Sequence, residues 1–153
     1  MEIKSLISHI EFNVCDYKQS IQFYDKIFPF MGINRINCTK EYTAYTDGAT
    51  KIILIPTEDK FLSFGFHRKR TGLNHLAFYA ESKEKVKQFY LEIMLKNKIK
   101  PLYQEGPFGD DDYFAVFFED PNRIKLELVC APNYCKYDHW PNNLPNDFDP
   151  YSN

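Results

Sequence analysis

The sequence predicts an α+β fold of two βαβββ modules that together form a cupped, mostly antiparallel sheet. Three observations predict it. First, one short word recurs at a fixed offset. His9-Ile10-Glu11-Phe12 returns as His75-Leu76-Ala77-Phe78, Gln22-Phe23-Tyr24 as Gln88-Phe89-Tyr90, and Ile27 as Ile93, each 66 residues on. Several ungapped matches at a single offset mark an internal duplication. Second, in each half the histidine word opens an alternating stretch and is followed by a helical stripe. Third, each helix is followed by three short strand-like runs. The repeat sets a histidine at the same place in each half, so two halves packed symmetrically would bring the imidazoles together.

The elements follow in order. Residues 6–14 alternate as a strand, with Ile10, Phe12 and Val14 on one side and His9, Glu11 and Asn13 on the other. Asp16 reads as a helix N-cap, and Gln19 three residues later completes a capping box. Tyr17, Ile21, Tyr24 and Ile27-Phe28 have the spacing of a helix lying on the apolar side of that strand. Pro29 and Gly32 end it. Strands are expected around 34–39, 41–47 and 51–55, with a turn at Asp47-Gly48. In the second half the strand is Leu73 to Tyr79, Ser82 is the N-cap, and Val86, Phe89-Tyr90 and Ile93 form the stripe. Strands are expected near 99–104, 112–119 and 123–129, the last two joined at Asp120-Pro121-Asn122. The closing strands Lys51–Ile55 and Arg123–Glu127 align at an offset of 72, so the second half carries the longer loops. Residues 1–135 then form one domain, with modules at about 5–58 and 71–130, and residues 136–153 a C-terminal arm. That arm is rich in Pro, Asn and Asp, and docks only where Trp140 or Phe148 can pack; His139 beside them reads as packing or exposed.

Composition narrows the function. Nineteen basic residues against 21 acidic ones leave a net charge of −2, and no basic stripe points to nucleic acid. The dense run His67-Arg68-Lys69-Arg70 lies between the repeats and reads as a solvated linker. No apolar stretch approaches the roughly 20 residues of a membrane span, and no signal segment opens the chain, so a cytoplasmic location is expected. The cysteines at 15, 38, 130 and 135 fit no zinc spacing and read as reduced thiols.

Period-2 geometry aims three polar residues at the side of their strands opposite the helices: His9, His75 and Glu127. If each module rolls into a half-cup, these faces meet inside. Two neutral imidazoles and a carboxylate with open positions suit a divalent ion: Zn, Ni, Mn, Co or Fe(II). A structural role is the alternative, with the histidines hydrogen-bonded in a core and Glu127 paired with Lys125. Glu11 shares the His9 face and is the candidate base or supporting partner. Tyr79 and Lys125 share the faces of His75 and Glu127 and could bind an anionic substrate. The Asp110-Asp111-Asp112 run reads as a hairpin loop.

The duplicated plan, the segments HIEFNV and NHLAFYA, and above all FFEDPNRIKLELV resemble the vicinal oxygen chelate superfamily, the group of glyoxalase I, bleomycin-resistance proteins and extradiol dioxygenases. The resemblance covers roughly residues 5–130. It implies the glyoxalase/bleomycin resistance/dioxygenase fold and metal ligands from the first and last strands of the modules: His9, His75 and Glu127. Glyoxalase I enzymes usually carry a glutamate where this chain has Ile53 and Ile55. Fosfomycin thiol transferases usually carry an arginine where Leu128-Val129-Cys130-Ala131 follow Glu127. The function implied is a metal-dependent lyase, isomerase or transferase acting on a small metabolite held through two neighbouring oxygens. A non-catalytic small-molecule binder resembling bleomycin-resistance proteins is the alternative. A homodimer is the implied assembly; family members pair modules either within a chain or across subunits, and the sequence leaves that choice open.

Overall fold

Each half of the chain opens on a strand that lies at one end of its own sheet. The computed structural model describes residues 5–136. In order, β1 spans His9–Val14, α1 Tyr17–Ile27, β2 Asn34–Cys38, β3 Thr43–Thr46 and β4 Lys51–Pro56. The second half follows with β5 His75–Tyr79, α2 Lys83–Phe89, β6 Phe108–Gly109, β7 Phe114–Glu119 and β8 Lys125–Cys130. The strands form two four-stranded sheets, ordered β1-β4-β3-β2 and β5-β8-β7-β6. In each, the first and last strands of the module pair in parallel and the other pairs are antiparallel.

The duplication extends to the caps. Asp16 Oδ1 accepts the Gln19 N–H at 2.9 Å, and Ser82 Oγ accepts the Lys85 N–H at 3.1 Å. Each such cap contributes about 1 kcal/mol. α1 tightens into a 3₁₀ turn at Phe28–Met31 and stops at Gly32, whose φ of 75° is left-handed. α2 instead widens into a π-helical run over Tyr90–Leu95, which carries the predicted stripe past Ile93.

Two expectations are corrected. The strand expected at 99–104 is absent: a single bridge joins Pro101 to Phe118, and the edge strand is the two-residue β6 instead. Pro101 has no N–H to donate, and Tyr103 sits at a φ of 73°, so the segment cannot run extended. The basic linker run is not simply solvated, because Arg68 pairs with Glu119 and both are mostly covered. His139, Trp140 and Phe148 lie outside the described residues.

One core serves both modules. Rings cross between them, with Phe28 on Phe78 at 5.8 Å, Phe30 on Phe89 at 5.4 Å and Phe23 on Phe118 at 6.4 Å between centroids. The buried Tyr24 hydroxyl donates to Asp120 Oδ2 at 3.1 Å. Burial pushes the Asp120 carboxyl above its usual value, against hydrogen bonds from Asn122, the Ile124 N–H and Tyr24 that hold it down. The predicted turn at Asp120-Pro121-Asn122 forms the seam. Asn122 Oδ1 accepts the Cys15 N–H at 2.7 Å, and Asn122 Nδ2 donates to Ser20 Oγ at 3.1 Å. Because Ile10 and Phe12 of one sheet and Leu76, Phe78, Leu126 and Leu128 of the other all turn into this shared core, the opposite faces of both sheets turn outward.

Candidate metal centre

The outward face of the second sheet is built on two ladder rungs. Parallel pairing of β5 with β8 sets His75 opposite Lys125 and Ala77 opposite Glu127. Leu126 and Leu128 hold β8 in the core, so Lys125 and Glu127 must project to the other side. That side is roofed, and Glu127 is fully buried. The Tyr113 hydroxyl donates to Glu127 Oε1 across the β7–β8 hairpin. Burial first, and then the hydrogen bond to Glu127 and its charge, push the Tyr113 phenol well above its ordinary value. Tyr134 meets Tyr113 edge to face, with centroids 5.3 Å apart, and closes the roof.

Glu127 Oε2 accepts no hydrogen bond, yet it lies 3.2 Å from His75 Nε2. On the other side of the ring, His75 Nδ1 contacts Asn74 Oδ1 at 2.8 Å. Asn74 Nδ2 donates to the Arg68 carbonyl at 3.5 Å, which turns its oxygen to the imidazole and favours the tautomer with the proton on Nδ1. In the neutral ring, Nε2 then presents a lone pair to the carboxylate oxygen. The two atoms are close enough that both could serve one divalent ion, and equally close enough for an imidazole–carboxylate pair.

The residues flanking this pair differ in setting. Lys125 is 8% exposed and its Nζ lies 5.3 Å from the Phe117 ring and 5.8 Å from the Tyr103 ring. A 3.5 Å contact to the Tyr103 hydroxyl is its hydrogen bond, and among the described residues no carboxylate pairs with it. The expected alternative pairing of Glu127 with Lys125 is therefore not formed. Tyr79 is largely exposed, and its hydroxyl meets Cys135 Sγ at 2.9 Å. That contact, ahead of burial, raises its phenol from the ordinary value.

The first module repeats one rung and changes the other. His9 lies opposite Lys51, as His75 lies opposite Lys125, whereas Glu11 lies opposite Ile53. Ile53 is thus the counterpart of Glu127, and the alignment that set Ile55 there shifts by one pleat. His9 Nε2 is 3.9 Å from Glu11 Oε1, with both side chains about half exposed. Ser8 Oγ contacts His9 Nδ1 at 3.3 Å, matching Asn74 on His75. The face continues into a cavity of about 570 Å³ lined by Glu11, Asn37, Tyr42, Lys51, Ile53 and Ile55.

Within the chain, then, His75 and Glu127 come together with Lys125 beside them, and His9 and Glu11 come together on the other sheet. The two groups do not meet, and no cluster of three metal-ligating side chains forms among the described residues. The sequence expectation that the imidazoles of two packed halves come together does not hold inside one chain. Sequence reasoning missed Tyr113 and Asn74. Asn74 was within reach, since it repeats Ser8 at the same offset of 66. Tyr113 depends on the β7–β8 register, which no local pattern reports.

Two mixed sheets, each built on a parallel pair that presents a histidine to one outer face, define a duplicated βαβββ protein. The chain belongs to the Glyoxalase/Bleomycin resistance protein/Dioxygenase superfamily, whose family model matches residues 6–128. It is 38% identical over 133 residues to the uncharacterised YqjT protein of Bacillus subtilis, covering 82% of this chain and 98% of that one. A candidate glyoxalase from Bacillus halodurans superposes with a TM-score of 0.76 at 38% identity, over 84% of this chain and 97% of its own. The fosfomycin resistance protein FosX from Listeria monocytogenes shares the fold, with a TM-score of 0.61 at 18% identity, over 83% of this chain and 93% of its own. Members of this superfamily typically use divalent metals, bind small molecules and often form dimers. Among the described residues no helix is long and apolar enough to cross a membrane.

Proposed function

We propose that the protein is a metal-dependent vicinal-oxygen-chelate enzyme, working in the cytoplasm as a homodimer, in which His75 and Glu127 of one protomer and the partner's His9 hold a divalent ion. The observation that carries this reading is the buried Glu127 Oε2, which accepts no hydrogen bond among the described residues and lies 3.2 Å from His75 Nε2. A buried carboxylate left this way costs several kcal/mol, and a cation held by both groups would relieve it. The donor set of two imidazoles and one carboxylate fits Zn, Ni, Mn, Co or Fe(II). Pairing between copies is supported by the outward direction of both histidine faces. The unpaired edges of β1 and β5 support it too, as does the exposure of Leu6, Ile7 and Leu73 leading into them.

When bound, the ion supplies a Lewis acid with open positions for two neighbouring oxygens of a small metabolite. The chain's residues do the rest. Tyr113 holds Glu127 by one oxygen and keeps the other turned toward His75. Asn74 fixes the imidazole tautomer and its direction. Lys125, a desolvated ammonium with no carboxylate partner among the described residues, attracts an anionic part of the substrate, and Tyr79 borders the same face. Glu11, half exposed beside His9 and without a hydrogen bond among the described residues, is the candidate base for the bound substrate or a supporting partner of that histidine. The reaction class is isomerisation, lyase or transfer chemistry.

A second reading is a non-catalytic small-molecule binder. The apolar pair Ile53 and Ile55 on the floor of the first module's face favours it. Metal content separates the two. Protein purified without chelator is expected to carry a divalent metal or to take up Zn, Ni, Mn, Co or Fe(II), with uptake lost in His75→Ala. A folded protein that neither carries nor takes up any of them would be a binder.

A further inference from the structure

The two modules agree on one rung and trade places on the next. On the first rung each module has histidine on its opening strand and lysine on its closing strand: His9 with Lys51, and His75 with Lys125. On the second rung, module two has Ala77 on the opening strand and Glu127 on the closing one, while module one has Glu11 on the opening strand and Ile53 on the closing one. Each second rung therefore holds one carboxylate and one apolar side chain, with the strands exchanged. Paired strands lie about 4.8 Å apart, so a glutamate on either one reaches the space beside its histidine.

We propose that Glu11 is the carboxylate ligand that the first module contributes to the metal site, relocated from the closing strand to the opening strand. The proposal rests on the reading that the partner's metal-binding His75 and Glu127 meet the His9 face. Three further features support it. Glu11 Oε1 already lies 3.9 Å from His9 Nε2, as Glu127 Oε2 lies 3.2 Å from His75 Nε2. Ser8 and Asn74 contact Nδ1 of their histidines, so both rings turn Nε2 toward a carboxylate. Glu11 has no competing hydrogen bond or cation among the described residues, its contact with His9 being its ion pair. The site is then two imidazoles and two carboxylates, one pair from each module, and Ile53 marks where the carboxylate left rather than where a ligand is lost.

Co(II) is the probe, with affinity read by calorimetry and coordination by the visible ligand-field bands of the bound ion. Glu11→Gln is expected to weaken Co(II) binding by about ten-fold or more and to change the band positions and intensity. The double variant Glu11→Ala/Ile53→Glu, which puts the carboxylate back on the closing strand, is expected to regain affinity relative to Glu11→Ala alone. His75→Ala is the reference for the site itself. If His75→Ala loses Co(II) while Glu11→Gln keeps both the affinity and the spectrum of the native protein, the proposal is overturned and the metal-site reading stands. A folded double variant without regained affinity overturns it as well. Native protein that takes up no Co(II), or His75→Ala that binds as the native protein does, overturns both.

Discussion

Replacing Glu127 with glutamine separates a carboxylate kept for a ligand from one kept for the fold. The side chain is fully buried, one oxygen takes the Tyr113 hydroxyl, and the other faces His75 Nε2 without a hydrogen bond. Burial of a charge in that state costs several kcal/mol, and a hydrogen bond to a charged acceptor returns about 1.5–3 kcal/mol of it. The amide keeps the volume, keeps an oxygen for Tyr113, and turns an N–H toward the Nε2 lone pair that the Asn74 contact implies. Glu127→Gln is therefore expected to stabilise the metal-free protein by about 1–3 kcal/mol. For a domain of this size that raises the melting temperature by roughly 3–10 °C. The same variant is expected to lose metal uptake. The assay is thermal unfolding of chelator-treated native and variant protein, repeated with added Zn or Co. Metal should raise the native melting temperature and leave the variant unmoved, since a ligand stabilises only the state that binds it. A metal-free variant that melts below the native protein would refute the argument. Glu127 would then be the structural partner of a protonated His75.

Tyr113→Phe leaves both Glu127 oxygens without a protein hydrogen bond. It is expected to lower metal affinity by about 10–100-fold, measured by competition with a chromophoric chelator. Asn122→Ala removes the bonds to the Cys15 N–H, Ser20 Oγ and Asp120 Oδ2 at the seam between modules. Urea unfolding should show a loss of about 2–4 kcal/mol, with metal uptake by the folded protein retained. Gly109 sits at a φ of 123°, and a Cβ there would lie 2.0 Å from the Tyr113 carbonyl oxygen. Gly109→Ala should thus deform the hairpin that places Tyr113 and cost about 3 kcal/mol or more. Hydrogen bonds from the Thr50 and Ala49 N–H groups lower the Asp47 carboxyl below its ordinary value. A depressed carboxylate stabilises the fold above its unfolded pKa of about 3.9, and that contribution is lost as pH falls through the folded value. Asp47→Ala should accordingly cost about 1 kcal/mol at pH 7, discounted for exposure, and nothing at strongly acid pH.

Much of the fold was legible because the duplication supplied each local signal twice. Asp16 and Ser82 announced their helices by side-chain chemistry, and Asp120-Pro121-Asn122 announced its turn. The 99–104 segment misled because Ile99, Leu102 and Tyr103 suit a strand while Pro101 and the left-handed Tyr103 forbid extension. For the site, the alternation of β1, β5 and β8 was enough to put His9, His75 and Glu127 on the faces opposite the core. Which faces can meet was not legible, since that depends on aromatic contacts between modules. Phe28 on Phe78 and Phe23 on Phe118 are pairings that no spacing encodes. The fate of Lys125 was hidden for the same reason. Its neighbours Tyr103 and Phe117 arrive from a loop and from a strand across the sheet.

The difference between the two half-faces has an origin that can be located in the chain. The opening strands are 66 residues apart, but the closing strands, set by Ile53 and Glu127, are 74 apart, so module two is longer by eight residues between them. The added length falls between the helix and the closing strand, in the stretch that carries Tyr103 and leads through Gly109 to Tyr113. Those residues are the roof. Tyr113 covers Glu127, Tyr103 covers Lys125, and Tyr134 after the last strand closes over Tyr113. Module one lacks this length, and its matching residues stay open: Glu11 is about half exposed and Lys51 is exposed, against a buried Glu127 and Lys125. The same rung of charged side chains thus sits in low dielectric on one face and in water on the other. Electrostatic interactions weaken with solvent access, so equal charges interact more strongly on the roofed face of the second module than on the open face of the first.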